Sequence, residues 1–308
     1  MDTKEILNIL PERLKNEIRD FITDKELQEI RIKINEPLIL QVGNREIICK
    51  YVACIQDLST IIKRMSNYSI YAFEEEMRRG YITISGGHRI GICGRCVIEK
   101  GEVKTIKDVS SLNIRICREI IGCSNKIMKF IASENKIINT IIISPPKCGK
   151  TTFIRDITKN ISNGIKAMDF KGKKVCIVDE RSEIGACSCG VPQLNIGMRT
   201  DVLDGCLKSE GIIMAIRSMS PDVIVCDEIG SYKDMDSIVT ALNSGVSLIT
   251  TIHGYGVQDL ENRPVFKTIL ENKVFRRAIV LSGRNGAGTI EYVYDFPNKK
   301  KIIGEYID

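Results

Sequence analysis

The sequence predicts an α/β protein in which a mostly parallel sheet carries helices on both faces and follows a smaller α+β domain. Residues 137–252 alternate short apolar runs with helical segments, a pattern that is typical of parallel sheets. Residues 1–134 instead place several strand-like runs next to one another, which favours hairpins. A tight turn, "SPPKCGKTT", separates the first apolar run of the second region from the helix that follows it.

The smaller domain is predicted to span residues 1–134. A helix is expected over residues 12–21, and the alternating stretch "EIRIKINEPLILQVGNREIICKYVAC" predicts strands with a hairpin at Gly43-Asn44. Two helices are expected next, near residues 57–66 and 69–79.

The second half of this domain is predicted to be mainly β-structure. The stretch "YITISGGHRIGICGRCVIEKGEVKTI" predicts three strands joined by Gly-Gly and Lys-Gly turns. A helix near residues 124–132 is expected to close the domain. The polar "SENK" at residues 133–136 predicts the linker.

The larger domain is predicted to span residues 135–308. Each of its apolar runs is short and mostly apolar, as expected for strands that are buried on both faces. These runs lie at residues 137–143, 175–178, 223–226 and 248–252. Helices are expected over residues 151–163 and 231–244, and each is followed by a glycine that can end it.

The composition is that of a folded globular protein, since 43% of the 308 residues are apolar and 27% are charged. No run approaches the roughly 20 apolar residues that span a bilayer, and the N-terminus lacks the apolar block of a signal peptide. We expect a cytoplasmic protein that reaches a membrane through a protein partner. The net charge of +6 is spread along the chain, and no basic segment is interleaved with aromatics, so no nucleic-acid partner is expected.

A phosphate-binding loop is predicted where the strand at residues 137–143 meets the next helix. Backbone N–H groups at the start of that helix would bind the β- and γ-phosphates of a nucleotide. Lys150 would contact the same phosphates, and the Thr151 hydroxyl would coordinate Mg²⁺. The predicted nucleotide-binding residues are Ser144, Pro145, Pro146, Lys147, Cys148, Gly149, Lys150, Thr151 and Thr152.

This loop departs from the consensus GxxxxGK[ST] at its first position. Ser144 stands where the consensus has glycine. The glycine lets the chain leave the strand sharply, and Pro145 and Pro146 can preset part of that bend. We therefore expect the loop to bind phosphate in spite of the serine.

Acidic residues follow two of the predicted strands. Asp227 would hold Mg²⁺ through water, and Glu228 would polarise the attacking water. A second group, Asp179, Glu180 and Glu183, follows the strand at residues 175–178. A strand between the loop and the Asp-Glu strand is typical of the ATPases that use the second acid as the base. We favour Glu228 as the base, and Glu180 and Glu183 stay as alternatives.

A histidine follows the fourth predicted strand. "SLITTIHGYG" places His253 at the end of that strand. There its side chain could form a hydrogen bond with the γ-phosphate or with the attacking water. We predict a catalytic role for His253.

Together these motifs resemble the type II and type IV secretion ATPases, which carry a phosphate loop, an acidic box, a second acidic strand and a histidine box in this order. The resemblance to the stage III sporulation protein AA family of endospore-forming bacteria is closer and covers most of the chain. It is carried by "ISGGHRIGICGRCVIEKG", "SSLNIRICRE", "ISPPKCGKTTFIRD", "VDERSEIGA", "GMRTDVLDG" and "RSMSPDVIVCDEIG".

This resemblance implies a RecA-like ATPase that uses ATP and Mg²⁺ and forms a homo-oligomer, a hexameric ring. The ring would lie on the mother-cell side of the membrane that faces the forespore, bound to an integral membrane protein of a sporulation secretion complex. It would energise assembly of a channel or transport through it. The N-terminal domain would supply arginines to the nucleotide, and Arg89, Arg95 and Arg115 match by motif neighbourhood.

The chain differs from the wider secretion family at two positions of the Asp-Glu strand. It has Asp227 where that family usually has glycine, and Gly230 where that family often has arginine. Both differences concern the coupling of hydrolysis to movement.

Two other functions use the same fold and stay open at this point. A nucleic-acid translocase or helicase would show hydrolysis that single-stranded DNA or RNA stimulates, with a steep dependence of binding on salt. A nucleotide-binding switch would bind ATP tightly and hydrolyse almost none.

Overall fold

The computed structural model describes residues 3–66, 73–261, 263, 266–267, 270 and 273–303. The chain divides into two compact units, Met1–Arg118 and Glu119–Asp308. None of the helices in these described ranges is long and apolar enough to cross a bilayer.

The first unit is an antiparallel sheet with helices. Its helices are α1 (Lys4–Ile9), α2 (Glu12–Ile18), α3 (Ile55–Met65) and α4 (Glu74–Arg79). Its strands are β1 (Leu27–Lys33), β2 (Pro37–Val42), β3 (Arg45–Val52), β4 (Tyr81–Thr83), β5 (Arg89–Glu99) and β6 (Glu102–Arg115), in the sheet order β3-β2-β1-β6-β5-β4. Residues 69–72 of the predicted helix over 69–79 lie outside the described residues, and α4 covers Glu74–Arg79.

The core of the first unit follows from the two-residue period of its strands. Leu38, Leu40 and Val42 alternate along β2 and are buried, while the residues between them are partly exposed. Apolar side chains from α2 and α3, among them Leu14 and Ile61, complete the same core. The strands and the hairpin at Gly43-Asn44 agree with the sequence prediction.

The second unit is built on an eight-stranded sheet. Short pairs of strands lie outside it: β7 (Ala132–Ser133) with β8 (Lys136–Ile137), and β10 (Gly164–Ile165) with β11 (Phe170–Lys171). The sheet itself contains β9 (Thr140–Ser144), β12 (Val175–Asp179), β13 (Thr200–Asp204), β14 (Val223–Cys226), β15 (Ser247–His253), β16 (Arg277–Ser282), β17 (Thr289–Asp295) and β18 (Lys300–Ile303). The helices are α5 (Met128–Ile131), α6 (Lys150–Asn163), α7 (Lys208–Ser218), α8 (Tyr232–Asn243) and α9 (Val257–Glu261).

The order of the eight strands is β13-β12-β14-β15-β9-β16-β17-β18. All neighbours from β13 to β16 are parallel, and β17 and β18 add an antiparallel edge. β15 lies between β9 and β14, whereas β12, the strand at residues 175–179, lies on the far side of β14. The mostly parallel sheet confirms the predicted fold class.

Helices cover both faces of this sheet, which explains its continuous apolar strands. Every residue of β9 is buried, and successive residues face opposite sides. Ile141 and Ile143 pack in the core that contains α7 and α8, and Ile142 packs in the core that contains α6. A strand buried on both faces therefore takes apolar residues on both faces, as Ile141, Ile142 and Ile143 do here.

The units divide at residue 118, whereas the sequence placed the boundary after residue 134. Residues Ile127, Met128 and Ile131 pack in the core of the second unit, together with side chains of α6. The predicted linker at residues 133–136 is instead the turn between β7 and β8. Its central residues Glu134 and Asn135 have φ values of +48° and +59°, the geometry of a tight hairpin turn.

Asp156 of α6 fixes the segment that follows residue 118. Its buried carboxylate accepts hydrogen bonds from the backbone N–H groups of Gly122 and Ser124, both at 2.9 Å, and from the Ser124 hydroxyl at 2.7 Å. The Lys159 ammonium lies 3.0 Å from the same carboxylate. Burial alone would raise the pKa of Asp156, but these bonds lower it below its ordinary value. The segment is thus part of the second unit through a charged hydrogen-bond centre that sequence periodicity does not reveal.

Replacing Asp156 with alanine should destabilise the second unit by about 3 kcal/mol. The change leaves buried N–H groups without an acceptor and the Lys159 ammonium without its partner. Chemical denaturation of wild type and variant measures the effect. Asp236→Ala, at an exposed position of α8, is the matched control and should change the free energy of unfolding by less than about 0.5 kcal/mol. Equal effects of the two substitutions would contradict this role of Asp156.

Candidate nucleotide-binding site

The candidate site lies where the parallel strands end. β9 ends at Ser144, β12 at Asp179 and β15 at His253, and Asp227 directly follows β14. Because these four strands are parallel neighbours in the order β12-β14-β15-β9, their carboxyl ends meet at one edge of the sheet. Ligands of open α/β sheets bind at such an edge. The sheet therefore brings together the predicted loop, both acidic groups and the histidine.

The predicted phosphate loop connects β9 to α6 by a tight turn. Lys147 and Gly149 adopt left-handed backbone conformations, with φ of +61° and +81°. Gly149 precedes the first residue of α6, Lys150, and its carbonyl accepts the N–H of Phe153 at 2.9 Å. The first turn of α6 leaves N–H groups without intrahelical partners at the positive end of a 14-residue helix. This arrangement suits a phosphate group.

Ser144 occupies the first position of the loop without strain. Its side chain is buried, and its hydroxyl donates to the Pro145 carbonyl at 2.9 Å. Its φ is not in the left-handed region, so this position does not need glycine.

A second glycine-rich turn packs against the loop. Residues 283–288 connect β16 to β17, and the Gly288 N–H donates to the Cys148 carbonyl at 3.0 Å. A Cβ atom on Gly149 would lie 3.2 Å from the Gly288 nitrogen, and one on Gly283 would lie 3.3 Å from the Cys148 sulfur. Sequence reasoning missed this contact, although the glycine density of "GRNGAG" is a signal that could have shown it.

Lys150, His253 and Glu228 form a chain of polar contacts. The Lys150 Nζ lies 2.9 Å from Nδ1 of His253, and Nε2 of His253 lies 3.3 Å from a carboxylate oxygen of Glu228. An ammonium donating to Nδ1 leaves the ring proton on Nε2, where it faces Glu228. Burial lowers the pKa of Lys150, while nearby Glu228 and other carboxylates act in the opposite direction. The loop lysine, the histidine and the favoured base are therefore neighbours.

Lys208 forms hydrogen bonds with one acid from each of the two acidic groups. The sequence analysis did not identify this residue. Its buried ammonium forms hydrogen bonds with Glu180 and with Oδ1 of Asp227, the latter at 2.9 Å. Burial alone would lower the pKa of Lys208, but these two bonds raise it above its ordinary value. Burial raises the pKa of Asp227, and the Lys208 ammonium counteracts that effect. One cation thus bonds acids that follow two neighbouring strands.

Asp179 shapes the turn that carries Glu180 and Glu183. Its fully buried carboxylate accepts three backbone N–H groups at 2.8 to 2.9 Å, from Glu183, Ile184 and Gly185. Arg155 of α6 donates to the carbonyls of Glu183 and Ile184 at 2.7 and 2.6 Å. The turn is therefore tied both to its own strand and to the helix that follows the phosphate loop.

The donor groups along this edge fit Mg²⁺ by their chemistry. Thr151 lies in the first turn of α6, and Asp227 supplies a carboxylate at the same edge of the sheet. Hydroxyl and carboxylate oxygens are the ligands that Mg²⁺ takes in nucleotide sites. These two residues would hold the ion together with phosphate oxygens.

The three predicted nucleotide-binding arginines lie on the sheet of the first unit. Arg89 and Arg115 are register partners across β5 and β6, and the Arg89 guanidinium lies 3.4 Å from the centre of the Tyr81 ring. Nε of Arg95 lies 2.8 Å from the carboxylate of Asp108. Their contact with a nucleotide stays a prediction.

The parallel sheet, the loop before α6 and the acids along one edge define the fold of a P-loop ATPase. Two solved structures share this fold at 14% identity. The pilus retraction motor PilT with bound ADP has a TM-score of 0.57 and is matched over 87% of this chain and 76% of that one. The Legionella pneumophila ATPase DotB has a TM-score of 0.53, over 82% and 72%.

The chain belongs to the family Sporulation stage III, protein AA, whose family model matches residues 1–301. It is 43% identical over 293 residues to Stage III sporulation protein AA of Bacillus subtilis (strain 168), which covers 94% of each chain. It is 26% identical over 267 residues to Protein SEEDLING PLASTID DEVELOPMENT 1 of Arabidopsis thaliana, over 86% of this chain and 35% of that one. The family indicated by the sequence motifs is confirmed.

Asp179 should make the stability of the second unit depend on pH. Burial raises the pKa of Asp179 to about 6 from its ordinary value of 3.8, against the effect of its backbone hydrogen bonds. Between these values the folded chain binds more protons than the unfolded chain. The free energy of unfolding therefore falls as the pH rises through this window, and it stays lower above it. The Asp179→Asn variant lacks this titration.

Chemical denaturation between pH 4 and pH 7 measures the effect. Relative to Asp179→Asn, wild type should lose roughly 2 to 3 kcal/mol of stability over this range, since a tenfold change in a dissociation constant corresponds to about 1.4 kcal/mol. Asp201→Asn, at an exposed position on the neighbouring strand β13, should follow the wild-type curve. Parallel curves for wild type and Asp179→Asn would show that the carboxyl does not titrate in this window.

Proposed function

We propose that this chain is a Mg²⁺-dependent ATPase of the secretion-ATPase type. The observation that carries the proposal is the chain of contacts from Lys150 through His253 to Glu228 beside the loop at the start of α6. A phosphate group at the helix terminus would meet a cation, a histidine and a carboxylate together. Family membership and the fold shared with PilT and DotB support the same activity.

ATP would bind with its phosphates at the start of α6. The N–H groups of the loop and the Lys150 ammonium would bind the β- and γ-phosphate oxygens. Thr151 and, through water, Asp227 would hold Mg²⁺, which neutralises charge on the phosphates when bound. Glu228 would accept a proton from the attacking water, and His253 would orient that water or the γ-phosphate.

Glu228 is a better general base than Glu180 in this arrangement. Glu180 is bonded to the Lys208 ammonium, so its carboxylate already accepts a strong, charge-assisted hydrogen bond. Glu228 faces the imidazole of His253 instead, next to the lysine of the phosphate loop. Glu183 remains the alternative, because its backbone is fixed by Asp179 and Arg155 at the same edge.

The ATPase would serve sporulation by energising the assembly of a channel between mother cell and forespore, or transport through it. It would act as a homo-oligomeric ring, a hexamer, on the cytoplasmic side of the mother-cell membrane. It would bind an integral membrane protein of a sporulation secretion complex, with Arg89, Arg95 and Arg115 of the first unit reaching the nucleotide. The relative from Bacillus subtilis is named for stage III sporulation, and PilT is named a pilus retraction motor. No nucleic-acid partner is proposed.

Replacing Lys150 with alanine should weaken ATP binding at least about 100-fold, because the change removes a cation that contacts two phosphates. Isothermal titration calorimetry with ATP and Mg²⁺ measures the affinity. Lys166→Ala, at an exposed position of the same unit, should bind ATP like wild type. If titration of ATP into wild type released no heat, the chain would not bind ATP and the proposed function would be wrong.

Replacing Glu228 with glutamine should keep ATP binding and lower the rate of hydrolysis by about 10²- to 10⁴-fold, the usual contribution of a general base. Phosphate release measured at saturating ATP tests this. Glu183→Gln is the matched variant and should retain more activity. If Glu228→Gln hydrolysed ATP at the wild-type rate, the general base would be Glu183 or Glu180 instead.

A translocase would behave differently. Single-stranded DNA or RNA would then stimulate ATP hydrolysis by wild type, and this stimulation would fall steeply as the salt concentration rises.

A further inference from the structure

Lys208 lies where a cation is costly unless something specific stabilises it. It is the first residue of α7, and the N-terminus of a helix disfavours positive charge. Its side chain is only 9% exposed, and lysine is almost never buried to this extent without a partner. The two carboxylates explain its presence, because they offset both the helix dipole and the loss of water.

The two carboxylates come from different strands and converge on one nitrogen. Glu180 directly follows β12, Asp227 directly follows β14, and these strands are paired in parallel with Val178 opposite Cys226. Both carboxylates lie within hydrogen-bond distance of the Lys208 Nζ. A divalent ion forms shorter bonds to oxygen than an ammonium does, so the two carboxylates would have to move closer together to share one, and the side chains of Glu180 and Asp227 have the freedom to do so once Lys208 no longer separates them.

The edge is rich in carboxylates. Five acids lie at the ends of β12 and β14 or in the turns that follow them: Asp179, Glu180, Glu183, Asp227 and Glu228. Asp179 is enclosed by backbone N–H groups and Glu228 faces His253. Glu180 and Asp227 are the acids that share the Lys208 ammonium. Without it, they would be two adjacent, partly buried carboxylates, and such a pair attracts either a proton or a metal ion.

We propose that Lys208 is a tethered cation that holds the place of a divalent ion between Glu180 and Asp227, so that Mg²⁺ enters this edge only together with a nucleotide. The proposal rests on the proposed function for the role of the nucleotide. Phosphate oxygens and Thr151 would bind the ion directly, and Asp227 would hold it through water while it keeps Lys208. A free metal ion would find both carboxylates already bonded to a cation, with one net negative charge between them instead of two.

The test is metal binding in the absence of nucleotide, with Mn²⁺ as the probe in place of Mg²⁺. Free Mn²⁺ is counted by electron paramagnetic resonance during titration of the full chain. Wild type should bind Mn²⁺ weakly, and Lys208→Met should bind it at least about 30-fold more tightly, because the methionine keeps the volume and removes the charge. The double variant Lys208→Met with Glu180→Gln should return towards the wild-type affinity, because one carboxylate is lost.

Two control variants distinguish a gain of Mn²⁺ binding at this site from a general loss of stability. Lys208→Arg keeps the positive charge and should bind Mn²⁺ as weakly as wild type. Lys233→Met, the same substitution at an exposed lysine of α8, should do the same. Lys208→Gln removes the charge but keeps an N–H donor, and it provides a second neutral variant if the methionine variant does not fold. Mn²⁺ should raise the thermal midpoint of either neutral variant and leave that of wild type unchanged.

Equal Mn²⁺ affinities of wild type and a folded neutral variant would overturn the proposal, and so would tight binding of Mn²⁺ by wild type. A purely structural lysine would lower stability when replaced, without creating a metal site. The outcome of the metal-binding test does not depend on whether the chain binds or hydrolyses ATP. If wild type bound no ATP, the proposed function would fail, whereas the gain of metal binding in Lys208→Met would still be measured.

Discussion

The parallel pairing of β15 with β9 on one side and β14 on the other is the constraint on which the candidate site depends. The pairing sets His253 opposite Ser144 and Thr250 opposite Cys226. A shift of one residue would turn every side chain of β15 to the opposite face. The Thr250 hydroxyl also donates to the Asp227 carbonyl at 2.9 Å, which holds the register at the point where the acids begin. The histidine, the loop and the Asp-Glu pair therefore have positions that the sheet itself sets.

The acids along this edge have different partners, and the partners decide what each acid can do. Asp179 accepts backbone N–H groups and shapes a turn. Glu180 and Asp227 share the Lys208 ammonium, which opposes the rise in the pKa of Asp227 that burial causes. Glu228 faces an imidazole in a half-exposed position, where water can reach it. A carboxylate that must accept a proton from water needs such access, and one that must hold a metal ion needs a stable negative charge.

Local patterns were enough to predict strands β9, β12, β14 and β15 and the turn that leads into α6, because these depend on neighbours in the chain. A strand buried on both faces is mostly apolar, and a loop that binds phosphate combines a turn with a helix start. Strands β13, β16, β17 and β18 were not predicted, and the features of the site that the sequence analysis missed depend on distant partners. Lys208 is an ordinary first residue of a helix until Glu180 and Asp227 are placed beside it, and residues 119–134 join the second unit through the bonds to Asp156. The order of the strands is equally non-local, since β15 follows β14 in the chain but separates it from β9.

The serine at the first loop position shows how this local geometry can be kept with a different sequence. The left-handed conformations of the loop fall on Lys147 and Gly149, and a lysine pays roughly 1 kcal/mol for such a conformation. Ser144 stays in the strand conformation and places its hydroxyl on the next carbonyl. Gly149 cannot be replaced in the same way. Its φ is +81°, and the Gly288 nitrogen would lie 3.2 Å from any Cβ added to it. The turn between β16 and β17 therefore restricts the loop at its helical end, and the strand end is where the sequence can vary.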